Sequence, residues 1–320
     1  MNKLPPEKRA QLLGMMAEGV SLRSITRLTG VSRTTSLKLL VDAGYAFSDY
    51  QDRTLRNLPC KRVQVDEIWS FVEMKAKNVP KERRGEYGIG DVWTWTAIDA
   101  DSKLVPSWFV GNRDAEHART FLADLASRMA GRIQLTSDAL PAYRDAVHDT
   151  FLDEIDYAQL VKMYGESPEA EKRYSPPVCI GCESKRITGK PDPKHISTSF
   201  VERQNLNIRM GLRRFTRLTN AFSKKFENHV HGLAIYFMYY NFVRIHQTTR
   251  VTPAMAADVT DKLWELSDLV RVVEEYETAE RDPTMVENID LERLRNDAGT
   301  YTPGRLRRVR SNLEDDGFSS

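Results

Sequence analysis

With 320 residues, 41% of them hydrophobic, the chain can bury a sizeable core and is long enough for two or three domains. No apolar run approaches the ~18 residues of a spanning helix, the opening MNKLPPEKRAQLLG lacks a signal-peptide core, and three cysteines are too few for a secreted disulfide framework; these features predict a cytoplasmic protein with no membrane partner. The formal charge of +2 hides a split: residues 1–62 carry eleven Lys/Arg against five Asp/Glu, residues 196–250 nine against two, and residues 261–300 five against twelve. Two basic regions could therefore meet phosphate, while the acidic stretch should stay away from it.

Residues 5–44 read as three short helices: PPEKRAQLLGMMAEG, SLRSITRLTG and SRTTSLKLLVDAG. The second presents Leu22, Ile25 and Leu28 and stops at Gly30; Ser32 can cap the third, whose core face is read as Leu37, Leu40 and Val41. Helix, glycine turn, helix is the helix-turn-helix arrangement, and it leaves Arg33, Thr34, Thr35 and Lys38 on the outer face, residue types that reach phosphates and base edges. We therefore expect an all-α DNA-binding domain over residues 1–46, followed by a polar, extended linker over residues 47–60.

The pattern then changes to strands. VQVDEIWSFV is followed by VWTWTAIDADSKLVPSWFVG, two alternating runs around a turn-forming Asp99-Ala100-Asp101-Ser102-Lys103, so three consecutive antiparallel strands are expected. Residues 114–130 show helical spacing in Ala118, Phe121, Leu122, Leu125 and Met129; a short strand over 132–136 runs into Ser137-Asp138; a helix over 141–151 and a strand over 155–161 complete the layer. The order β-β-β-α-β-α-β is that of an α/β, ribonuclease H-like fold, expected over residues 61–260 with an inserted loop or small subdomain at about 165–195. A long helical region from 197 to 241, broken near 219–223, follows. Residues 261–320 read as an acidic helical stretch and a disordered tail.

In the first of these strands, two carboxylates sit among valines, isoleucine and aromatics. Burying an unpaired carboxylate costs several kcal/mol, so either a cationic side chain or a metal ion should compensate Asp66. Asp138, at the carboxyl end of the fourth strand, can converge on Asp66 if the two strands are neighbours. Glu202, early in a helix with Asn205, Arg209 and Arg213 following at helical spacing, is the third candidate. Such a set suits Mg²⁺ or Mn²⁺: one ion would activate an attacking hydroxyl and a second would stabilise the leaving oxygen of a phosphodiester, with Asp66 bridging and Asp138 and Glu202 each holding one. Arg209, Arg213, Arg214 and Arg217 would guide the DNA backbone. Glu67 should point to the opposite sheet face and meet a cation. His229, His231 and His246 read as packing or hydrogen-bonding residues.

Asp66, Asp138 and Glu202, with Arg209 seven residues after the glutamate, resemble the DDE signature of transposases and retroviral-type integrases. YNFVRIHQTTRVTPAMAA is similar to an ending common in insertion-sequence transposases. DEIWSF, LTSDA and VERQNLNIRMGLRRFTRLTNAFSK resemble bacterial insertion-sequence transposases of the IS-one type, over roughly residues 60–260. The resemblance implies a nucleoid-associated enzyme that binds terminal inverted repeats in double-stranded DNA, cuts strands and transfers them into target DNA, at least as a dimer. Family members carry a cysteine-paired zinc element before the helix-turn-helix, whereas this chain has no cysteine before Cys60. Cys179 and Cys182, with His195 downstream and no obvious fourth ligand, read as free thiols in the insertion rather than as a zinc knuckle.

Overall fold

The computed structural model describes residues 3–86, 88–165, 179–216 and 220–279. Its centre is a six-stranded mixed sheet in the order β3-β2-β1-β4-β5-β6. Strands β1 (Arg62–Val72), β2 (Gly90–Asp99) and β3 (Trp108–Gly111) are antiparallel neighbours, as the alternating runs predict. The turn after β2 is fixed by Asp99, whose carboxylate accepts from the Ser102 amide at 2.8 Å and its hydroxyl at 2.6 Å. Helix α4 (Ala115–Arg128), begun by an Asp114 side chain that accepts from the His117 amide, returns the chain to β4 (Gln134–Ser137), parallel to β1. Helix α5 (Pro141–Phe151) leads to β5 (Asp156–Tyr164), parallel to β4.

Residues of β1 alternate between two faces. Val63, Val65 and Glu67 look towards α4 and α5, where Trp95 of β2 packs against Phe121 and Tyr143. Gln64, Asp66 and Ser70 look the other way, towards α6 (Ser199–Gly211) and α7 (Phe226–Phe242). Helix α7 is largely apolar and, past its first turn, buried on nearly every side. On one side Phe237 stacks on Trp108, and Asn241 exchanges two 3.0 Å hydrogen bonds with the backbone of Val105.

Its other side is covered by the amino-terminal helices. Helix α1 (Pro6–Ala17) precedes α2 (Leu22–Thr29), which is capped by Ser21 and closed by Gly30 at a φ of 72°. Helix α3 (Arg33–Thr54) is capped by Ser32, as expected, but differs from the sequence reading in two ways. It buries Ser36, Leu39, Leu40 and Ala43 while Leu37 and Val41 are only half-buried, a face rotated from the one expected. It also runs through the stretch expected as an extended linker. Phe47 and Gln51 are buried there, Gln51 satisfies its amide on the Phe47 carbonyl at 3.0 Å, and Gly44 lets α3 approach His231 of α7 so closely that a Cβ would sit 2.2 Å from the ring. After α8 (Pro253–Ala256), helix α9 (Leu266–Ala279) packs on α1 and α3, and its Glu274 and Glu277 pair with the buried Arg9. The amino-terminal helices thus share one core with the sheet layer.

Two further expectations change. Part of the expected insertion is a strand, β6 (Cys179–Thr188), antiparallel to β5 at the sheet edge. The long helical region ends α6 at Gly211, earlier than expected, and resumes as α7 at Phe226. Residues 280–320, which hold the end of the acidic stretch and the tail, lie outside the described residues.

Candidate metal centre

Strands β1 and β4 pair only from Arg62↔Gln134 to Gln64↔Thr136, and extending that register sets Asp66 level with Asp138, the residue after β4 ends. Both carboxylates therefore lie where the parallel strands part, the usual crevice of an α/β sheet. One oxygen each of Asp66, Glu67 and Asp138 lie within 4.8 Å of one another, the sole such group of three metal-capable side chains among the described residues.

The three carboxylates are held differently. Asp66 Oδ2 accepts from Asn205 Nδ2 at 2.8 Å, and no cationic side chain pairs with it among the described residues. Burial, then the charges of Glu67 and Asp138, push its pKa up to about 7. Glu67 does meet a cation on the other face: Arg113 Nε donates to Oε1 at 2.7 Å, and the Tyr143 hydroxyl donates to Oε2 at 3.2 Å. Burial and Asp138 still raise the Glu67 pKa, more than Arg113 lowers it. Asp138 Oδ1 accepts from the Leu140 amide at 2.9 Å, which fixes the turn into α5.

Glu202 stands apart from this cluster. It pairs with Lys162 of β5 and accepts from the Thr198 hydroxyl. Helix α6 reaches Asp66 through Asn205 instead, and the helix start is pinned to β1 because Gln64 Oε1 accepts from the amides of Phe200 at 2.8 Å and Val201 at 3.2 Å. Asn205, Arg113, Tyr143, Gln64 and Lys162 are site or support residues whose roles sequence reasoning missed. Only the helical spacing of Asn205 after Glu202 gave a signal.

The expected DNA-contacting residues divide. Arg33, Thr34, Thr35 and Lys38 are exposed at the start of α3, with Lys38 reaching Asp42 at 2.7 Å. Arg213 is exposed and Arg209 half-buried. Arg214 turns inward: it donates to the Asn228 carbonyl at 2.6 Å and to Ser223 Oγ at 3.2 Å, and burial lowers its pKa to about 10. It fastens the segment between α6 and α7 and is half-buried, with its guanidinium turned onto backbone and hydroxyl oxygens. Arg217 lies outside the described residues. His229 sits between Ser70 and Ser223, and burial lowers the pKa of His229 to about 3 and of His231 and His246 to about 4, so all three are neutral packing or hydrogen-bonding groups. Cys179 and Cys182 are exposed, with sulfurs 3.8 Å apart.

Three carboxylates, two of them without a cationic partner among the described residues, are a hard-oxygen donor set that fits Mg²⁺ or Mn²⁺. No family model matches the chain, and no curated protein matches it. Among solved structures, the chain is similar to a simian T-cell lymphotropic virus intasome in complex with PP2A regulatory subunit B56 gamma, at 14% identity, 80% coverage of this chain, 77% of that one and a TM-score of 0.37. It is also similar to the Mos1 transposase paired-end complex with left transposon end (13% identity, 48% and 60% coverage, TM-score 0.20) and to the Mos1 strand transfer complex (11%, 75% and 79%, 0.22). Likenesses of this size add nothing to what the topology and the carboxylates themselves support. Among the described residues no helix is long and apolar enough to cross a membrane.

Proposed function

We propose that the chain is a metal-dependent polynucleotidyl transferase on a ribonuclease H-like sheet, a DDE-type transposase acting on double-stranded DNA as at least a dimer. The observation that carries this is the meeting of Asp66, Glu67 and Asp138 at the parting of β1 and β4, with no cationic partner for Asp66 among the described residues. Divalent metal bound there would activate the attacking hydroxyl and neutralise the leaving oxygen of a phosphodiester. Asp66 and Asp138 would be its ligands. Asn205 orients the Asp66 carboxylate, and Arg113 pairs with Glu67 beside them. Glu202, the expected third ligand, would have to leave Lys162 to take part. The exposed Arg33, Thr34, Thr35 and Lys38 would read terminal repeats, and Arg209, Arg213 and Arg217 would hold the backbone near the metal; Arg214 is withdrawn from that set because it is turned inward.

The test is nicking of supercoiled and repeat-bearing DNA by the full chain with Mg²⁺, Mn²⁺ or EDTA. Asp66→Asn and Asp138→Asn should each reduce nicking by at least about a thousandfold, while changing duplex binding little. Metal-dependent nicking that survives Asp66→Asn would contradict the assignment.

A further inference from the structure

The face of β1 that carries Glu67 continues beyond α5 as a run of aromatic side chains. Trp69 lies two residues past Glu67, about 7 Å further along the strand, and is the cross-strand partner of Trp93. One step nearer the helices, Trp95 is fully buried beneath Phe121 and Tyr143, whereas Trp69 and Trp93 remain partly open to solvent. Phe71 continues the row, its ring 5.8 Å from that of Trp69 and 5.2 Å from that of Phe222 in the segment before α7.

Cations lie on these rings. The Arg113 guanidinium is 4.8 Å from the Trp93 centroid, and Lys75 Nζ is 5.7 Å from Trp69 and 5.8 Å from Phe71. Lys75 has no carboxylate partner among the described residues. The connection from β1 to β2 adds exposed Lys77, Lys81 and Arg84, also without one. A core cluster has no use for solvent access and unpaired cations. Flat rings beside free positive charge are what binds a single strand, because an unpaired base offers its face for stacking and its phosphate to the cation. In an intact duplex that face is already stacked on its neighbours.

We propose that this aromatic and basic ribbon receives an unpaired DNA strand next to the phosphodiester held at the carboxylates, with bases stacked on Trp69 and Trp93 and phosphates met by Lys75 and its neighbours. The inference rests on the DNA-processing reading above and adds its substrate class: DNA opened, or readily opened, beside the cut.

Intrinsic fluorescence reads this surface directly. Of the five tryptophans, Trp95, Trp108 and Trp264 are buried, leaving Trp69 and Trp93 to report contact. The full chain in EDTA, where no strand is cut, is titrated with a short oligothymidylate and with a duplex of equal length. Oligothymidylate should quench the fluorescence and the duplex should do so far less. Trp69→Ala should weaken oligothymidylate binding about tenfold and duplex binding by no more than about twofold, while Trp69→Phe, which keeps a ring, should retain most of the affinity. Absence of quenching, an equal loss for both DNAs, or a Phe variant as weak as the Ala variant would overturn the proposal. Binding and nicking of duplex without oligothymidylate quenching would remove this surface alone; failure to bind either DNA would remove the DNA-processing reading with it.

Discussion

Arg128 and Asp66 are both charged side chains turned into the protein, and their surroundings differ completely. Arg128, 1% exposed, donates to both Asp124 oxygens at 2.8 and 2.9 Å, to Asp52 at 2.8 Å and to the Leu55 carbonyl at 3.2 Å. Asp124 in turn accepts from the Ser107 hydroxyl at 2.6 Å. Every charge there has a counter-charge, and the network ties the end of α3 to α4. At Asp66 the neighbouring charges are Glu67, Asp138 and, more weakly, Glu202, and among the described residues its partners are the neutral Asn205 amide and the Glu67 backbone. One site spends its charges on holding two helices together; the other keeps carboxylates close against their repulsion, which stabilises nothing unless a cation from outside arrives.

Removing the cation from each site tests that contrast. Arg128→Met leaves Asp124 buried without a counter-charge and should cost about 3 to 5 kcal/mol in urea unfolding, independent of Mg²⁺. Arg113→Met takes the cation from Glu67, whose pKa is already raised, but Arg113 is more than a third exposed. A loss of about 2 kcal/mol is expected, and here Mg²⁺ should restore part of it. A restoration of equal size in both variants would erase the distinction. The smallest effect should come from Lys162→Met. The Lys162–Glu202 pair is partly solvated, so stability should change by less than about 1 kcal/mol, yet Glu202 is released towards the cluster and Mg²⁺ affinity should rise about threefold in a calorimetric titration.

Periodicity made the sheet legible. VQVDEIWSFV and VWTWTAIDAD alternate strictly enough to show β1 and β2, and a helix on each side of β4 follows from apolar spacing at Phe121, Leu122 and Leu125 and at Tyr143, Ala146 and Val147. That order was enough to bring Asp66 to Asp138. The continuation of α3 was hidden because Ser48 and Gln51, polar by type, are buried by bonding to carbonyls within their own helix, so the stretch looked like a linker. Strand β6 was hidden for the opposite reason: Cys179–Thr188 is an edge strand with exposed charges on both faces and a glycine, which leaves no apolar alternation. At the site, what could not be read is long-range pairing. Nothing local tells Arg213 from Arg214, yet one faces solvent and the other three carbonyl and hydroxyl oxygens. Glu202 meets a lysine forty positions away in sequence on β5, and Glu67 meets an arginine that follows β3.

The repulsion at Asp66 also has a pH signature. Its folded pKa of about 7 lies above the ordinary carboxylate range, so the folded state binds the proton more tightly than the unfolded chain does. That contribution is fully present below about pH 4 and is lost as pH rises through about 7, on the order of 2 kcal/mol once partial exposure is discounted. Metal needs the ionised form, so stabilisation by Mg²⁺ should grow over the same window.

Thermal melts of wild type and Asp66→Asn above about pH 7, in EDTA and in Mg²⁺, test the central claim most directly. An amide of the same shape removes repulsion without stranding any partner charge, so in EDTA the variant should melt a few degrees above wild type. Mg²⁺ should then raise the wild-type Tm and leave the variant nearly unchanged. A variant that melts well below wild type in EDTA, or that gains as much from Mg²⁺ as wild type does, would contradict a metal site at Asp66.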